Sequence, residues 1–180
     1  MLQLTIVEGP EMWDEINERF IEPKSHTLQL EHSLVSLSKW ESKWCKSFIH
    51  TEDKTNEEML DYIKCMTITQ NVKPEVYEYI SQKNINEIVE YINAPMTATT
   101  ISDMDEKKSR ERVTSELIYF WMISYNIPFE CQKWHLNRLI TLIRVCSVKN
   151  APPKKTSKRE LASRYAEMNA RNRAKYNSKG

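Results

Sequence analysis

The spacing of two thiol and imidazole pairs is the first pattern in this sequence that could support chemistry. Cys131 and His135 stand four positions apart, so a helix would place both side chains on one face, where they could hold a metal ion. Cys45 and His50 offer a second, looser pair. No CxxC or HxxxH motif accompanies them, so buried thiols and an ordinary histidine are favoured over a zinc site. We therefore expect no bound metal and no cofactor.

Three acidic residues could be read as a catalytic carboxylate cluster: Glu57, Glu58 and Asp61. They follow Thr55, however, and a hydroxyl followed by early carboxylates is typical of a helix N-terminus. The chain also has only two glycines, too few for a phosphate-binding loop or a nucleophile elbow. We expect no catalytic residues, and the protein is predicted not to be an enzyme.

Two tryptophans, Trp40 and Trp44, could stack on bases or sugars, since lysines surround them in the segment SKWESKW. The alternative is that they close a core where a strand gives way to a helix. Large aromatic side chains stabilise a fold strongly when they are buried, so the core interpretation is favoured.

The elements that must position these residues are mostly helical. The stretch Ser115 to Cys146 predicts two apolar helices hinged at Asn126–Ile127–Pro128 and packed antiparallel, because Asn tolerates the conformation that ends one helix and Pro suits the start of the next. Every residue from Leu117 to Ile123 is apolar, which predicts a helix without a solvent-facing side. The residues assigned to this structural core are Trp121, Pro128, Trp134, Leu139 and Ile143.

The N-terminal region has a different periodicity. Leu2, Leu4 and Ile6 alternate with polar residues and predict a strand, and a second alternating run from Leu28 to Leu37 could pair with it or cross it. Residues 11–21 predict a helix, as do residues 55–66, a short segment starting at Pro74, and residues 85–92 with Asn84 as cap. Pro95 ends the last of these, and residues 98–108 predict a loop. The predicted fold is mainly α with a small N-terminal β element.

The charge distribution divides the chain into two predicted parts. Residues 149–180 hold ten basic and two acidic residues, a net charge of +8, whereas residues 1–148 hold 16 basic and 23 acidic residues, a net charge of −7. The break at Pro152–Pro153 predicts a helical domain over residues 1–150 and a basic C-terminal helix or tail over 151–180, capped by Ser157. We expect this tail to bind a partner. Its candidate binding residues are Lys154, Lys155, Lys158, Arg159, Arg164, Arg171, Arg173 and Lys175.

The four cysteines are widely spaced, and the first residues resemble neither a signal peptide nor a membrane anchor. No apolar run reaches the roughly 18 residues of a membrane span. We therefore expect reduced thiols, a cytoplasmic location and no membrane partner.

Five segments of the chain resemble a family of small tailed-bacteriophage proteins encoded among the tail genes. They are SKWESKW, EMLDYIKCMT, EYINAPMTATT, TSELIYFWMISYNIPFECQKWHLNRLITLIRVC and the basic AxxNARNRAK pattern. The similarity covers most of the chain from about residue 36 to 176. The family is similar to the tail assembly chaperones, small helical proteins encoded just before the tape measure protein. The resemblance implies no catalytic residues.

Three functions follow in order of preference. As a tail assembly chaperone, the protein would bind tail proteins, the tape measure protein first, in the cytoplasm of the infected bacterium. As a minor structural component, it would remain in the tail or neck of the virion. Nucleic-acid binding through the tail is less favoured, because few aromatic residues interleave its arginines. The opposite charges of body and tail also allow self-association.

Overall fold

The computed structural model describes residues 1–9, 12–14, 18–21, 23–99, 112–151 and 158–176. The chain divides into two compact units, Met1–Val148 and Lys149–Gly180. The fold is mainly helical with a small N-terminal β element, as the sequence predicted.

Strand β1 (Leu2–Val7) pairs antiparallel with β4 (Ser25–Leu30), so that Leu2 lies opposite Leu30. The alternation in β1 buries Leu4 and Ile6 completely. This confirms the predicted strand and its pairing with the run at Leu28 and Leu30. The same run was wrongly extended to Leu37, because Ser33 caps a helix: its side chain accepts from the Ser36 N–H, and the Ser36 hydroxyl accepts from the Ser33 N–H.

The helix predicted over residues 11–21 is wrong. The described part of this segment forms two strands, β2 (Met12–Asp14) and β3 (Arg19–Ile21), which pair antiparallel with Trp13 opposite Phe20. Glu18 has a left-handed φ of 48°, a turn conformation that no α-helix contains. Four-residue spacing of apolar residues, which suggested the helix, does not by itself distinguish a helix from two short paired strands.

Helix α1 (Leu34–Trp44) lies at the centre of the first unit and packs against α2 (Asn56–Met66). The predicted start of α2 is confirmed, since Thr55 and Glu58 cap each other's backbone N–H groups. A 3₁₀ helix follows at Pro74–Tyr79, as predicted. Helix α3 (Gln82–Asn93) ends before Pro95, but its N-cap is Ser81. Asn84 lies one turn inside the helix, where its side chain accepts from the Ser81 N–H.

Helix α4 (Ser115–Ser124) and helix α5 (Leu136–Asn150) bear out the two predicted helices on either side of the Asn126–Pro128 hinge. Asn126 is left-handed as expected, with φ 52°. Pro128, however, precedes a 3₁₀ helix at Phe129–Lys133, so α5 begins only at Leu136. Helix α4 packs on α1.

The prediction that residues 117–123 have no solvent-facing side is wrong. Ile118 and Met122 are fully buried, but Phe120 and Ile123 are each 60% exposed. The apolar run therefore carries both a core face and an apolar surface face.

The second unit contains helix α6 (Lys158–Tyr176), which is the predicted C-terminal helix. Pro152, Pro153 and Ser157 lie outside the described residues, as does most of the predicted 98–108 loop. Within the described ranges, no helix is long and apolar enough to cross a membrane.

Candidate functional site

A cleft of about 570 Å³ lies between α2, α3, α5 and the segment 48–54 of the first unit. Most of its wall is apolar, and its lining includes two charged residues, the exposed Glu52 and the half-buried Lys54. The apolar residues come from four separate segments of the chain, so no local sequence pattern predicts the cleft. They include Phe48, Met59, Ile92, Leu136 and Ile140.

His32 is the polar residue most deeply placed in this cleft, and it is only 3% exposed. It lies in the short connection between β4 and α1, and its backbone oxygen accepts from the Leu136 N–H at 2.7 Å, which ties this connection to the start of α5. Its Nδ1 lies 2.5 Å from the Tyr62 hydroxyl. Nδ1 is therefore bound to the core, and Nε2 has no hydrogen-bond partner among the described residues.

His135 lies behind His32, with the two ring centroids 5.1 Å apart in an edge-on arrangement. Its Nε2 is 3.0 Å from the Tyr91 backbone oxygen, and its Nδ1 accepts from the Asn137 N–H at 3.3 Å. Both nitrogens are thus used, so the imidazole is held as the neutral Nε2–H form. His135 cannot act as a metal ligand without breaking one of these bonds.

Burial controls the charge of both histidines. The pKa of His32 is lowered to about 3, chiefly because burial disfavours the charged form and secondly because His135 is close. Burial also lowers the pKa of His135, against the opposing effect of the Tyr91 carbonyl. The floor of the cleft is therefore uncharged at neutral pH, and it offers one hydrogen bond without a charge.

A second buried polar group holds the surrounding segments in place. The Glu41 carboxylate accepts from the Phe48 N–H at 2.9 Å through Oε1 and from the Ser115 N–H at 2.7 Å through Oε2. One side chain thus anchors both the segment that lines the cleft and the start of α4. Sequence reasoning missed His32 and Glu41, because their partners are distant in sequence.

The two tryptophans on α1 are structural. Trp40 is fully buried and its indole N–H donates to the Glu58 backbone oxygen at 2.8 Å. Trp44 is half-buried, stacks on Trp40 with centroids 6.2 Å apart, and donates to Asp61 at 2.9 Å. Glu58 is bound by Lys46 at 2.6 Å. The carboxylates of α2 therefore cap the helix and bind α1 instead of forming an open acidic site.

The residues predicted for a structural core differ in burial. Leu139 and Ile143 are buried, whereas Trp121 and Trp134 are half-buried and pack against the core. Pro128 was assigned to the core, but it is exposed. It is the residue directly before the 3₁₀ helix, at the end of the turn that follows α4.

The candidate metal pairs are not brought together with further ligands. Cys131 is buried and Cys45 is exposed. Over the described ranges, no group of three or more His, Cys, Asp or Glu side chains could hold a metal ion.

Helix α6 carries five predicted partner-binding residues whose side chains the structure describes. Arg159, Arg164, Arg171, Arg173 and Lys175 are all exposed. Lys154, Lys155 and the side chain of Lys158 lie outside the described residues. The helix also exposes four large apolar or aromatic side chains: Leu161, Tyr165, Met168 and Tyr176.

Comparison with known proteins adds no relative: no family model, no curated protein and no solved structure matches this chain.

Proposed function

We propose that this protein is a non-enzymatic assembly factor of a bacteriophage tail, similar to the tail assembly chaperones, that binds a tail protein through α6. Two lines of argument support the proposal. The first is the resemblance of residues 36 to 176 to the phage tail-module family. The second, which carries the proposal, is the exposed apolar stripe of α6.

The stripe follows from helical spacing. Leu161, Tyr165 and Met168 recur at intervals of four and three residues, so they share one face of α6. Their exposed fractions are 39%, 55% and 51%. A helix that buries none of these side chains gains little from tertiary packing, and it suits binding in an apolar groove of another protein.

The arginines on the flank of this stripe indicate what surrounds the groove. Arg164 and Arg171 are one turn from stripe residues and lie on the same flank, whereas Arg159 and Arg173 lie towards the other side of the helix. Arginine pairs well with carboxylates at protein interfaces. The expected partner is therefore a tail protein, the tape measure protein first, with an apolar groove and acidic residues along one edge. Binding would take place in the cytoplasm of the infected cell.

A charge-reversal pair tests this arrangement. The double variant Arg164→Glu, Arg171→Glu should weaken capture of tail proteins in a pull-down from infected cells and should reduce complementation of a phage that lacks the gene. Arg159→Glu, Arg173→Glu changes the net charge by the same amount on the other flank and serves as the control. Equal losses for both variants would mean that net charge alone matters, which contradicts a defined groove.

Three further readouts separate the alternatives. Finding the protein in purified particles would favour the minor structural component of the tail or neck over a chaperone. Loss of DNA binding with unchanged protein capture would favour the nucleic-acid function. If the molecular mass of the wild-type protein rises with its concentration and that of Arg164→Glu, Arg171→Glu does not, the stripe serves self-association instead.

A further inference from the structure

The cleft in the first unit has features of a binding site that are independent of α6. Its volume, about 570 Å³, lies within the roughly 300–1,000 Å³ typical of ligand pockets. Its walls are mostly apolar, and the buried side chain of His32 lies at the floor, where the described residues supply a partner for Nδ1 but none for Nε2. That combination favours a defined occupant over bulk water.

The hydrogen-bonding capacity of the floor restricts the occupant. His32 is 3% exposed, with Nδ1 held by Tyr62 and Nε2 left over. Because His32 is neutral, the floor cannot compensate a buried carboxylate or ammonium group, whose desolvation would be costly. The part of the occupant that reaches His32 must therefore be uncharged, and it must carry one hydrogen-bonding group.

A phenol fits both conditions. The Nδ1–Tyr62 contact can form with the proton on either atom, so Nε2 is either a donor or an acceptor. A hydroxyl can serve both cases, since it both donates and accepts. An aromatic ring also suits the wall formed by Phe48, Ile92 and Ile140.

The rim indicates that the phenol belongs to a polypeptide. Glu52 and Asn93 are exposed and supply an acceptor and an amide at the mouth. Lys54 Nζ donates to the Thr51 backbone oxygen and lies 4.4 Å from the centroid of the Phe48 ring, so this ammonium group supplies its remaining N–H donors beside the wall. A peptide backbone presents both N–H and C=O groups, which this mixed rim can satisfy. We infer that the cleft binds a tyrosine side chain of a partner protein, with the ring between the apolar walls and the hydroxyl on His32 Nε2. This site is separate from the α6 stripe, so either site can fail without the other.

The test compares two probes that differ by one hydroxyl. N-acetyl-tyrosine amide should bind the full chain about two- to tenfold more tightly than N-acetyl-phenylalanine amide, the range that one net hydrogen bond provides. Each probe is titrated into the protein and followed by NMR, through the ¹⁵N chemical shifts of the backbone amides and the histidine rings. The His32 ring signal should shift with the tyrosine probe only. Equal affinities, or no binding of either probe at millimolar concentration, would overturn the inference.

Variants locate the binding. His32→Phe should abolish the preference for the tyrosine probe. If that variant does not fold, Val89→Trp supplies the test, because Val89 lines the cleft and is 39% exposed. Val148→Trp is its matched control, since Val148 is 60% exposed on α5 and does not line the cleft. Unchanged binding in Val89→Trp, or equal losses in both tryptophan variants, would contradict a site in the cleft.

Two further measurements distinguish the source of the phenol. If p-cresol binds as tightly as N-acetyl-tyrosine amide, the rim contributes nothing and a peptide occupant is excluded. Tyr165→Phe with Tyr176→Phe in the full chain should leave the affinity for the tyrosine probe unchanged. A higher affinity in that variant would show that tyrosines of this chain compete for the cleft, which would overturn the assignment to a partner protein.

Discussion

The first unit and helix α6 differ in which side chains they bury and which they expose. In the first unit, buried polar side chains such as Glu41, Glu58 and His135 have hydrogen-bond partners. On α6, by contrast, the apolar side chains Leu161 and Met168 are exposed. Hydrogen bonds to buried polar groups help to stabilise a fold, whereas apolar side chains that stay in water contribute nothing to its stability. The first unit therefore stabilises itself around a buried core, even though it also exposes Phe120 and Ile123, whereas the large apolar side chains of α6 are all exposed and suit a surface that another molecule supplies.

A matched pair of leucine substitutions tests this contrast most strongly. Leu139 on α5 is fully buried, so Leu139→Ala should lower the free energy of unfolding by about 2–5 kcal/mol through lost burial and a cavity. Leu161→Ala on α6 should change it by less than about 0.5 kcal/mol, because the side chain is exposed and alanine suits a helix. Urea denaturation followed by circular dichroism measures both. A large effect at Leu161 would mean that α6 is part of the cooperative fold.

Glu41 tests whether the buried polar contacts hold the first unit together. Glu41→Gln replaces one accepting oxygen with an NH₂ group that would face a backbone N–H, of either Phe48 or Ser115. We expect a loss of about 1–3 kcal/mol in the free energy of unfolding at neutral pH. Glu90→Gln, on the exposed side of α3, is the control and should have little effect. Similar stability of both variants would show that the two N–H groups find other partners.

The buried histidines predict sensitivity to acid. Because burial lowers the pKa of His32 from 6.5 to about 3, the unfolded chain binds this proton at a higher pH than the folded protein. Stability from the neutral imidazole is thus fully present above pH 6.5 and is lost as the pH falls towards 3. The slope should be up to about 1.4 kcal/mol per pH unit for each proton bound. Unfolding midpoints between pH 7 and 4 measure it, with His50→Gln, at an exposed position, as the control. A flat profile would contradict a neutral, buried His32.

The smallest predicted effect concerns the backbone at the end of α1. Cys45 has a left-handed φ of 53° and an exposed side chain. Glycine adopts this conformation without the steric cost, so Cys45→Gly should raise the free energy of unfolding by about 0.5–1 kcal/mol. Cys45→Ala keeps the Cβ atom and should give no such gain. A higher thermal midpoint for alanine than for glycine would show that the backbone is not strained there.

Local patterns in the sequence predicted local structure well. Alternation in Leu2, Leu4 and Ile6 predicted β1, and Thr55 with the following glutamates predicted the start of α2. Each of these depends on neighbours along the chain, which the sequence displays directly. The same reasoning failed where a local pattern was ambiguous, since four-residue spacing and cross-strand pairing both describe residues 11–21.

The cleft could not be predicted in this way. Its floor joins His32 to Tyr62, and its walls add α3 and α5, so the site exists only after distant segments pack. Nothing about His32 in the segment LEHSL distinguishes a buried, neutral imidazole from an exposed one. Burial and the second histidine decide its charge, and both are properties of the tertiary fold.

The hydrogen bond between the His32 backbone oxygen and the Leu136 N–H of α5 also has a consequence for the order in which segments fold during synthesis. Strands β1 and β4, α1 and α2 make contacts within the first 67 residues of the chain, including the bridge from Leu30 to Thr67, so they can assemble early. The bridge from Ser33 to His135 closes a much longer loop, whose ordering entropy must be overcome before the contact forms. We expect the first 67 residues of a nascent chain to be folded while the face that receives α5 stays open. Attachment of α5 would then be the late step that creates the cleft.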